Sequence, residues 1–114
     1  MRATFHLVPG EIWEATARDG PYAAASLATE GFIHCTDGEP AVGETFDRYY
    51  SADDRLFLAL TVDLDALDVP WRYDVPGSPY PHIYGPIVPA AIAGVARVER
   101  DTDGRFAGLV PAPA

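Results

Sequence analysis

The sequence predicts a small single domain of the α+β class, for three reasons. Its 114 residues are enough for one hydrophobic core, and 48% hydrophobic against 22% charged residues is a balance typical of globular proteins. Residues 3–8 and 55–62 have the patterns of strands. Short helical patterns and turn signals lie between and after them, without a repeat or a linker. This mixture of short elements indicates one α+β domain over residues 1–114.

Alternation and apolar runs support the strand predictions. In residues 3–8, Thr4, His6 and Val8 fall on one face of a strand and their neighbours fall on the other. Residues 55–62 are apolar on both faces, which is typical of a central strand. Further strands are predicted over residues 32–35, 71–75, 82–84 and 94–99, with a hairpin turn at Asp103 and Gly104 that leads into Phe106.

Three short helices are predicted over residues 11–17, 23–30 and 40–50. Gly31 suits the C-terminal end of the second helix, because glycine adopts the left-handed conformation that ends many helices. Pro40 suits the first turn of the third helix, where its missing N–H leaves no hydrogen bond unmade.

The third helix has one apolar face, formed by Val42, Phe46 and Tyr49, and we expect this face to be buried. A single helical turn is expected near Pro89. The chain end, residues 110–114, is rich in proline and alanine and is expected to be flexible.

Charge and composition exclude several classes of partner. The formal net charge is −9, which argues against nucleic acid because binding to phosphate backbones depends on basic surfaces. No apolar run approaches the roughly 20 residues of a membrane span, and the N-terminal residues lack the pattern of a signal peptide. Cys35 is the one cysteine and cannot form an internal disulfide. We therefore expect a cytoplasmic protein whose partner is a small molecule, of unknown oligomeric state.

The chain contains three histidines, His6, His34 and His82, and each lies in a predicted strand. Imidazole can donate, accept or transfer a proton near neutral pH. Aromatic residues flank these segments, among them Tyr22 and Tyr84. Aromatic walls with a few convergent polar groups are typical of small-molecule pockets. If the three strands are neighbours, the histidines border one polar cleft.

Three other kinds of site receive less support. The spacings of the histidines match no zinc signature, so we predict no metal site. His34 and Cys35 are adjacent on a strand and point to opposite faces, so they cannot form a catalytic dyad, and we expect Cys35 to be buried. Asp63 and Asp65 lie in a tight turn, where aspartate is favoured for local hydrogen bonding.

Several segments, taken in order, resemble a known family. The resemblance covers about residues 4–98 and is to domain-of-unknown-function family 952, DUF952. The segments that carry it are Phe5-His6-Leu7, Trp13, Gly20-Pro21-Tyr22, Ser26 to Thr36, Phe46, and Pro81-His82-Ile83-Tyr84-Gly85-Pro86-Ile87.

This resemblance implies a fold related to the ADP-ribosyltransferase superfamily, a split antiparallel sheet with short helices around an NAD cleft. The superfamily carries three motifs on three strands. His6 matches the histidine of the first motif, and Thr36 or His34 matches the polar position of the second. The third motif is usually a glutamate and falls on residues 82–84, where this chain has no carboxylate.

The missing glutamate limits what the resemblance implies about activity. A neutral histidine can hold a ribose hydroxyl but offers no anion to a developing cation. The RNA 2′-phosphotransferase branch of the superfamily also works without that glutamate, but the acidic charge argues against an RNA substrate. Glu30 and Asp74 are the carboxylates that could take the missing position.

The leading hypothesis is an enzyme that acts on NAD or a related ADP-ribosyl compound and needs no cofactor. A non-catalytic module that binds a nucleotide-like metabolite is the alternative, and a metal-dependent enzyme is a weaker third. The expected site consists of imidazoles in catalytic roles and of hydroxyl-bearing residues that bind the ligand, namely His6, His34 and His82, with Tyr22, Thr36 and Tyr84.

Overall fold

A computed structural model describes residues 1–16 and 18–112. Three α-helices lie in this part of the chain: α1 (Gly10–Glu14), α2 (Ala25–Glu30) and α3 (Glu39–Tyr49). Single 3-10 turns form at Leu64–Ala66 and Pro89–Ala91. The strands are β1 (Ala3–Pro9), β2 (Ile33–His34), β3 (Phe57–Asp63), β4 (Trp71–Arg72), β5 (His82–Ile83), β6 (Ile92–Arg100) and β7 (Phe106–Pro111).

The strands form two antiparallel sheets. Four strands make the larger sheet in the order β1-β3-β6-β7, and three short strands make the smaller one in the order β2-β5-β4. This arrangement confirms the predicted α+β class with antiparallel sheets. None of the helices in the described residues is long and apolar enough to cross a membrane.

The larger sheet has a core on each face. Leu58, Leu60 and Val62 of β3 pack towards the smaller sheet, in a cluster that includes Ile33 and Ile83. Phe57 lies on the opposite side of β3 and packs in a second cluster with residues of α3 and β6. The apolar character of β3 on both faces, evident from the sequence, thus follows from its position between two cores.

The two sheets are joined where β1 meets the segment after β2. The backbone N–H of Phe5 donates to the Thr36 carbonyl over 2.9 Å, and the Thr36 N–H donates back to the Phe5 carbonyl over 2.8 Å. These two hydrogen bonds connect β1 of the larger sheet to the segment that follows β2 of the smaller sheet.

Local sequence signals located most element ends within a few residues. Gly31 ends α2 in the left-handed conformation, with φ of 90°, and a 3-10 turn begins at Pro89, as predicted. The first helix is shorter than expected and ends at Glu14. Its predicted last residue, Ala17, lies outside the described residues.

Two predictions on burial and order were wrong. Tyr49 is 68% exposed, because the apolar face of α3 narrows to Val42 and Phe46 and leaves Tyr49 at the side of the helix. Residues 110 and 111 belong to β7, and the Ala112 N–H donates to the Val95 carbonyl, so this stretch is paired. The expectation of flexibility for residues 113–114 lies outside the described part of the chain.

Helix α3 docks closely on β7 at Gly43. A Cβ atom at position 43 would lie 2.7 Å from Cδ2 of the Phe106 ring, which is closer than such contacts allow. Glycine costs about 1 kcal/mol relative to alanine in a helix interior. Its presence here is therefore explained by packing against the ring.

We predict that Gly43→Ala lowers the free energy of unfolding by about 1 kcal/mol or more, because the clash outweighs the gain in helix propensity. In a Phe106→Ala background the same substitution should raise stability, since the ring is gone. Urea denaturation of the four proteins measures both effects. A Gly43→Ala protein as stable as the wild type in the Phe106 background would contradict this packing.

Candidate functional site

A cleft runs along β1 from His6 to Pro9. Its volume is about 710 Å³, within the range of about 300–1,000 Å³ found for small-molecule sites. Backbone and side chains of β1 form one wall, and α1, α2, the end of β2 and the C-terminal half of α3 contribute the others. The polar residues that line it are His6, Tyr22, Ser26, Glu30, His34, Thr36, Thr45, Arg48, Tyr49, Tyr50, Arg55, Tyr80 and His82.

His6 is held by hydrogen bonds at both ring nitrogens. Its Nδ1 lies 2.7 Å from the backbone carbonyl oxygen of His34, and its Nε2 lies 2.9 Å from the Tyr22 hydroxyl. A carbonyl can only accept, so Nδ1 carries the proton and the Tyr22 hydroxyl donates to Nε2. Burial lowers the pKa of His6 to about 4, so the ring is neutral at physiological pH.

Tyr22 and Thr36 are buried on the wall of the cleft. Burial raises the pKa of Tyr22, so its hydroxyl keeps the proton that it donates to His6. Thr36 is 6% exposed. No hydrogen bond of its hydroxyl is found among residues 1–16 and 18–112, so the hydroxyl is available to a molecule in the cleft.

His34 pairs with Glu30 at the end of α2. The helix ends at Glu30, the chain reverses through Gly31, and β2 brings His34 back beside the helix end. As a result the His34 Nε2 lies 3.1 and 3.2 Å from the two Glu30 carboxylate oxygens. Both side chains are about half exposed, so this pair is open to the cleft.

His82 pairs with Asp74, which lies two residues after the end of β4. The His82 Nδ1 lies 2.6 Å from Asp74 Oδ2, and the imidazole stacks on the Phe32 ring at a centroid distance of 3.9 Å. Hydrogen bonds from Tyr84, Arg72 and His82 hold the pKa of Asp74 below its usual range. The carboxylate therefore stays ionised and accepts the Nδ1–H of His82, which fixes the tautomer.

The structure brings the three predicted histidines to one cleft. His34 and His82 are directly paired residues of β2 and β5, so their side chains share a face, and their ring centroids are 5.6 Å apart. His6 reaches the same region through its hydrogen bond to the His34 carbonyl. The convergence expected from the sequence is therefore present.

Tyr84 shares a face with His82, as alternation predicted, since both side chains bind Asp74 Oδ2 and both rings contact Phe32. It does not line the cleft; its hydroxyl donates to Asp74 and its ring lies 4.2 Å beneath the Arg72 guanidinium. Tyr84 acts here as a support for Asp74.

The structure also locates the other sites considered from the sequence, which are the cysteine, a metal site and the aspartate turn. Cys35 is buried, and burial raises the pKa of its thiol, which leaves it a weak nucleophile. In the described part of the chain, no group of three or more His, Cys, Asp or Glu side chains has the geometry of a metal site. Asp63 accepts from the Asp65 N–H and caps a 3-10 turn, as turn aspartates commonly do.

Sequence reasoning did not assign the partners of the histidines. The spacing of four between Glu30 and His34 was a usable signal, since a helix end followed by a glycine turn can bring such residues together. Asp74 lies two residues beyond β4 and His82 lies on β5, so their contact depends on the β4–β5 pairing. Thr45 and Arg48, on the cleft side of α3, carried no signal that pointed to the cleft.

Comparisons with known proteins give a family and a fold. The model of the family described as "Protein of unknown function (DUF952)" matches residues 7–95. A crystal structure of protein CC0527 from Caulobacter crescentus is 21% identical, with a TM-score of 0.73 over 93% of this chain and 94% of that one. The solution NMR structure of CC0527 is 23% identical, with a TM-score of 0.71 over 93% and 92%. No curated protein matches the chain.

The state of His6 has a measurable consequence for stability. The unfolded chain binds a proton at this residue near pH 6.5, whereas the folded chain does so only near pH 4. As pH falls through this window, the free energy of unfolding should therefore decrease by up to about 1.4 kcal/mol per pH unit. Urea unfolding as a function of pH, compared with His6→Gln, isolates this contribution.

Nitrogen-15 NMR of the histidine side chains provides the direct check. His6 should remain the neutral Nδ1–H tautomer at pH 6, with titration only near pH 4. A His6 ring that titrates near pH 6.5, or an unchanged pH slope in His6→Gln, would show that the ring is not held as described.

Proposed function

Because the chain belongs to the DUF952 family, whose function is unknown, we propose a function from its own cleft: it binds NAD or a related ADP-ribosyl compound and hydrolyses the bond between ribose and nicotinamide. The fold on which we base this proposal is the ADP-ribosyltransferase-like arrangement that the sequence motifs imply. The single observation that carries the proposal is the presence of two neighbouring histidine–carboxylate pairs at one ligand-sized cleft, His34–Glu30 and His82–Asp74.

His82 is the proton acceptor in this proposal. Asp74 accepts the Nδ1–H of the ring, which leaves a lone pair on Nε2. No hydrogen bond to Nε2 is found among the described residues, so this nitrogen can accept a proton from a substrate water. With 18% of its side chain exposed, His82 is accessible from the cleft yet held in place by Phe32.

Glu30 supplies the negative charge that the third motif lacks. Its carboxylate lines the cleft, whereas Asp74 does not. The bond between C1′ and nicotinamide breaks with both electrons on the nicotinamide nitrogen, so nicotinamide leaves as a neutral molecule. Glu30 stabilises the resulting oxocarbenium-like cation. Water then bonds to C1′ and gives its proton to His82, and the product is ADP-ribose.

His6, Tyr22 and Thr36 have supporting roles in the proposal. Both ring nitrogens of His6 are occupied, so His6 is a positioning residue that fixes the His34 backbone and the Tyr22 hydroxyl. The Tyr22 oxygen, which donates its own proton to His6, can still accept a hydrogen bond from a ribose hydroxyl. Thr36 offers a free hydroxyl on the same wall.

The second candidate function is a non-catalytic module that binds the same kind of molecule. The observation in its favour is that β5, His82–Ile83, carries no carboxylate at the position of the usual third motif. The two candidates share the cleft and differ in turnover, so one set of measurements separates them.

We predict that the wild-type protein releases nicotinamide from NAD and that His82→Ala lowers kcat by about 100-fold or more, because a general base is lost. Asp74→Asn should lower kcat by about tenfold or more, since the amide no longer fixes the productive tautomer. Asp65→Asn removes an exposed carboxylate that does not line the cleft and should leave kcat unchanged. Nicotinamide release at saturating NAD is the measurement.

Titration of NAD and ADP-ribose into the isotope-labelled protein completes the test. Shifts around the three histidines together with nicotinamide release support the enzyme, and shifts without release support the binding module. No shifts at millimolar ligand would contradict both.

A further inference from the structure

The cleft has a second polar region, at its Pro9 end. β1 rises by about 3.3 Å per residue, so Pro9 lies roughly 10 Å along the cleft from His6. Phe57 pairs with Pro9 across the sheet and packs against Tyr50, with ring centroids 4.9 Å apart. The C-terminal end of α3 therefore lies at the Pro9 end of the cleft.

Arginines outnumber carboxylates among the residues that line this cleft, although the chain as a whole has 17 acidic and 8 basic residues. The charged lining residues are Glu30, Arg48 and Arg55. Arg55 is committed to ion pairs with Asp53 and Glu11, at 2.8 and 3.0 Å. The Arg48 side chain makes no ion pair or hydrogen bond with any residue that the structure describes, so its guanidinium is available to an anion.

Thr45 lies one turn before Arg48 on the same side of α3, and it provides an independent observation. Its hydroxyl oxygen is buried and has no hydrogen-bond partner among the described residues. Three other hydroxyl residues at helical spacing bond to the carbonyl four residues earlier, namely Thr16, Thr29 and Ser51. Thr45 does not, and a buried hydroxyl without a partner costs about 1–3 kcal/mol. Rotation about its Cα–Cβ bond would turn the hydroxyl to a ligand oxygen in the cleft.

We propose that Arg48 and Thr45 form an anion subsite that holds the phosphate groups of the ligand. This inference rests on the proposed function, which it deepens by naming the ligand as phosphate-bearing. Arg48 donates N–H groups to the phosphate oxygens, and Thr45 donates its hydroxyl. In NAD and ADP-ribose a pyrophosphate follows the ribose, so the distance between the two ends of the cleft suits a ribose at the histidines and a pyrophosphate at Arg48. The guanidinium of Arg48 would thereby allow a protein of net negative charge to bind an anionic ligand in this cleft.

Inorganic pyrophosphate and ADP-ribose, titrated separately into the labelled full chain, test the subsite. Pyrophosphate should shift the amide signals of residues 45–49 in the wild type. Arg48→Gln should remove these shifts and weaken ADP-ribose binding by about tenfold, while Arg48→Lys should restore part of the affinity. Arg97→Gln removes an exposed arginine that does not line the cleft, and it should bind both molecules as the wild type does.

The outcomes separate this subsite from the proposed function. Pyrophosphate that binds at residues 45–49, with ADP-ribose that does not bind, would keep the anion subsite and overturn the proposed substrate. ADP-ribose binding at the histidines that is equal in wild type and Arg48→Gln would overturn the subsite and keep the proposed function. Absence of pyrophosphate shifts at residues 45–49 would also overturn the subsite.

Discussion

The arrangement of the cleft depends on one hydrogen bond, from the His6 ring to the His34 backbone carbonyl. β1 belongs to the larger sheet and β2 to the smaller one, so this bond joins side chain to backbone across two sheets. The exchange of backbone hydrogen bonds between Phe5 and Thr36 lies next to it. Because the bond is partly buried, its loss would leave the His34 carbonyl and the His6 Nδ1–H without this partner, at a cost of about 1–3 kcal/mol for each group.

The chemistry of the cleft follows from the different environments of its three imidazoles. His6 is buried, neutral and bonded at both nitrogens, which suits a residue that fixes geometry. His34 and His82 are paired across β2 and β5, and each has a carboxylate of its own. A carboxylate on one nitrogen determines the tautomer and leaves the other nitrogen free for a substrate. The three histidines therefore have two different roles, and these roles follow from the fold rather than from the residue type.

Local patterns in the sequence were sufficient to predict many of the helices and strands of the fold. Alternation fixed the faces of β1, and the left-handed Gly31 fixed the end of α2, because both features are decided by a few neighbouring residues. The predicted burial of Tyr49 was wrong because α3 packs on a core with one side and lines the cleft with another. Periodicity alone does not show which of these two surfaces an apolar residue contacts. The division of the strands into two sheets also depends on long-range pairing, which the sequence does not display.

For the site, the motif order was sufficient to bring the histidines together, but the atoms that control them were not predictable. The contact of Asp74 with His82 depends on the pairing of β4 with β5 and on the position of Tyr84. The proton on the His6 Nδ1 depends on a carbonyl contributed by another strand. Such features arise from tertiary geometry, and residue types along the chain do not specify them.

Amide hydrogen exchange in the wild type and in His6→Ala tests the central claim most directly. If the His6 bond holds the two sheets together, the Phe5 and Thr36 amides should be strongly protected in the wild type. In His6→Ala they should lose protection by a larger factor than the Leu60 amide in the middle of β3. Equal loss at all three amides, or rapid exchange of Phe5 and Thr36 in the wild type, would contradict the account.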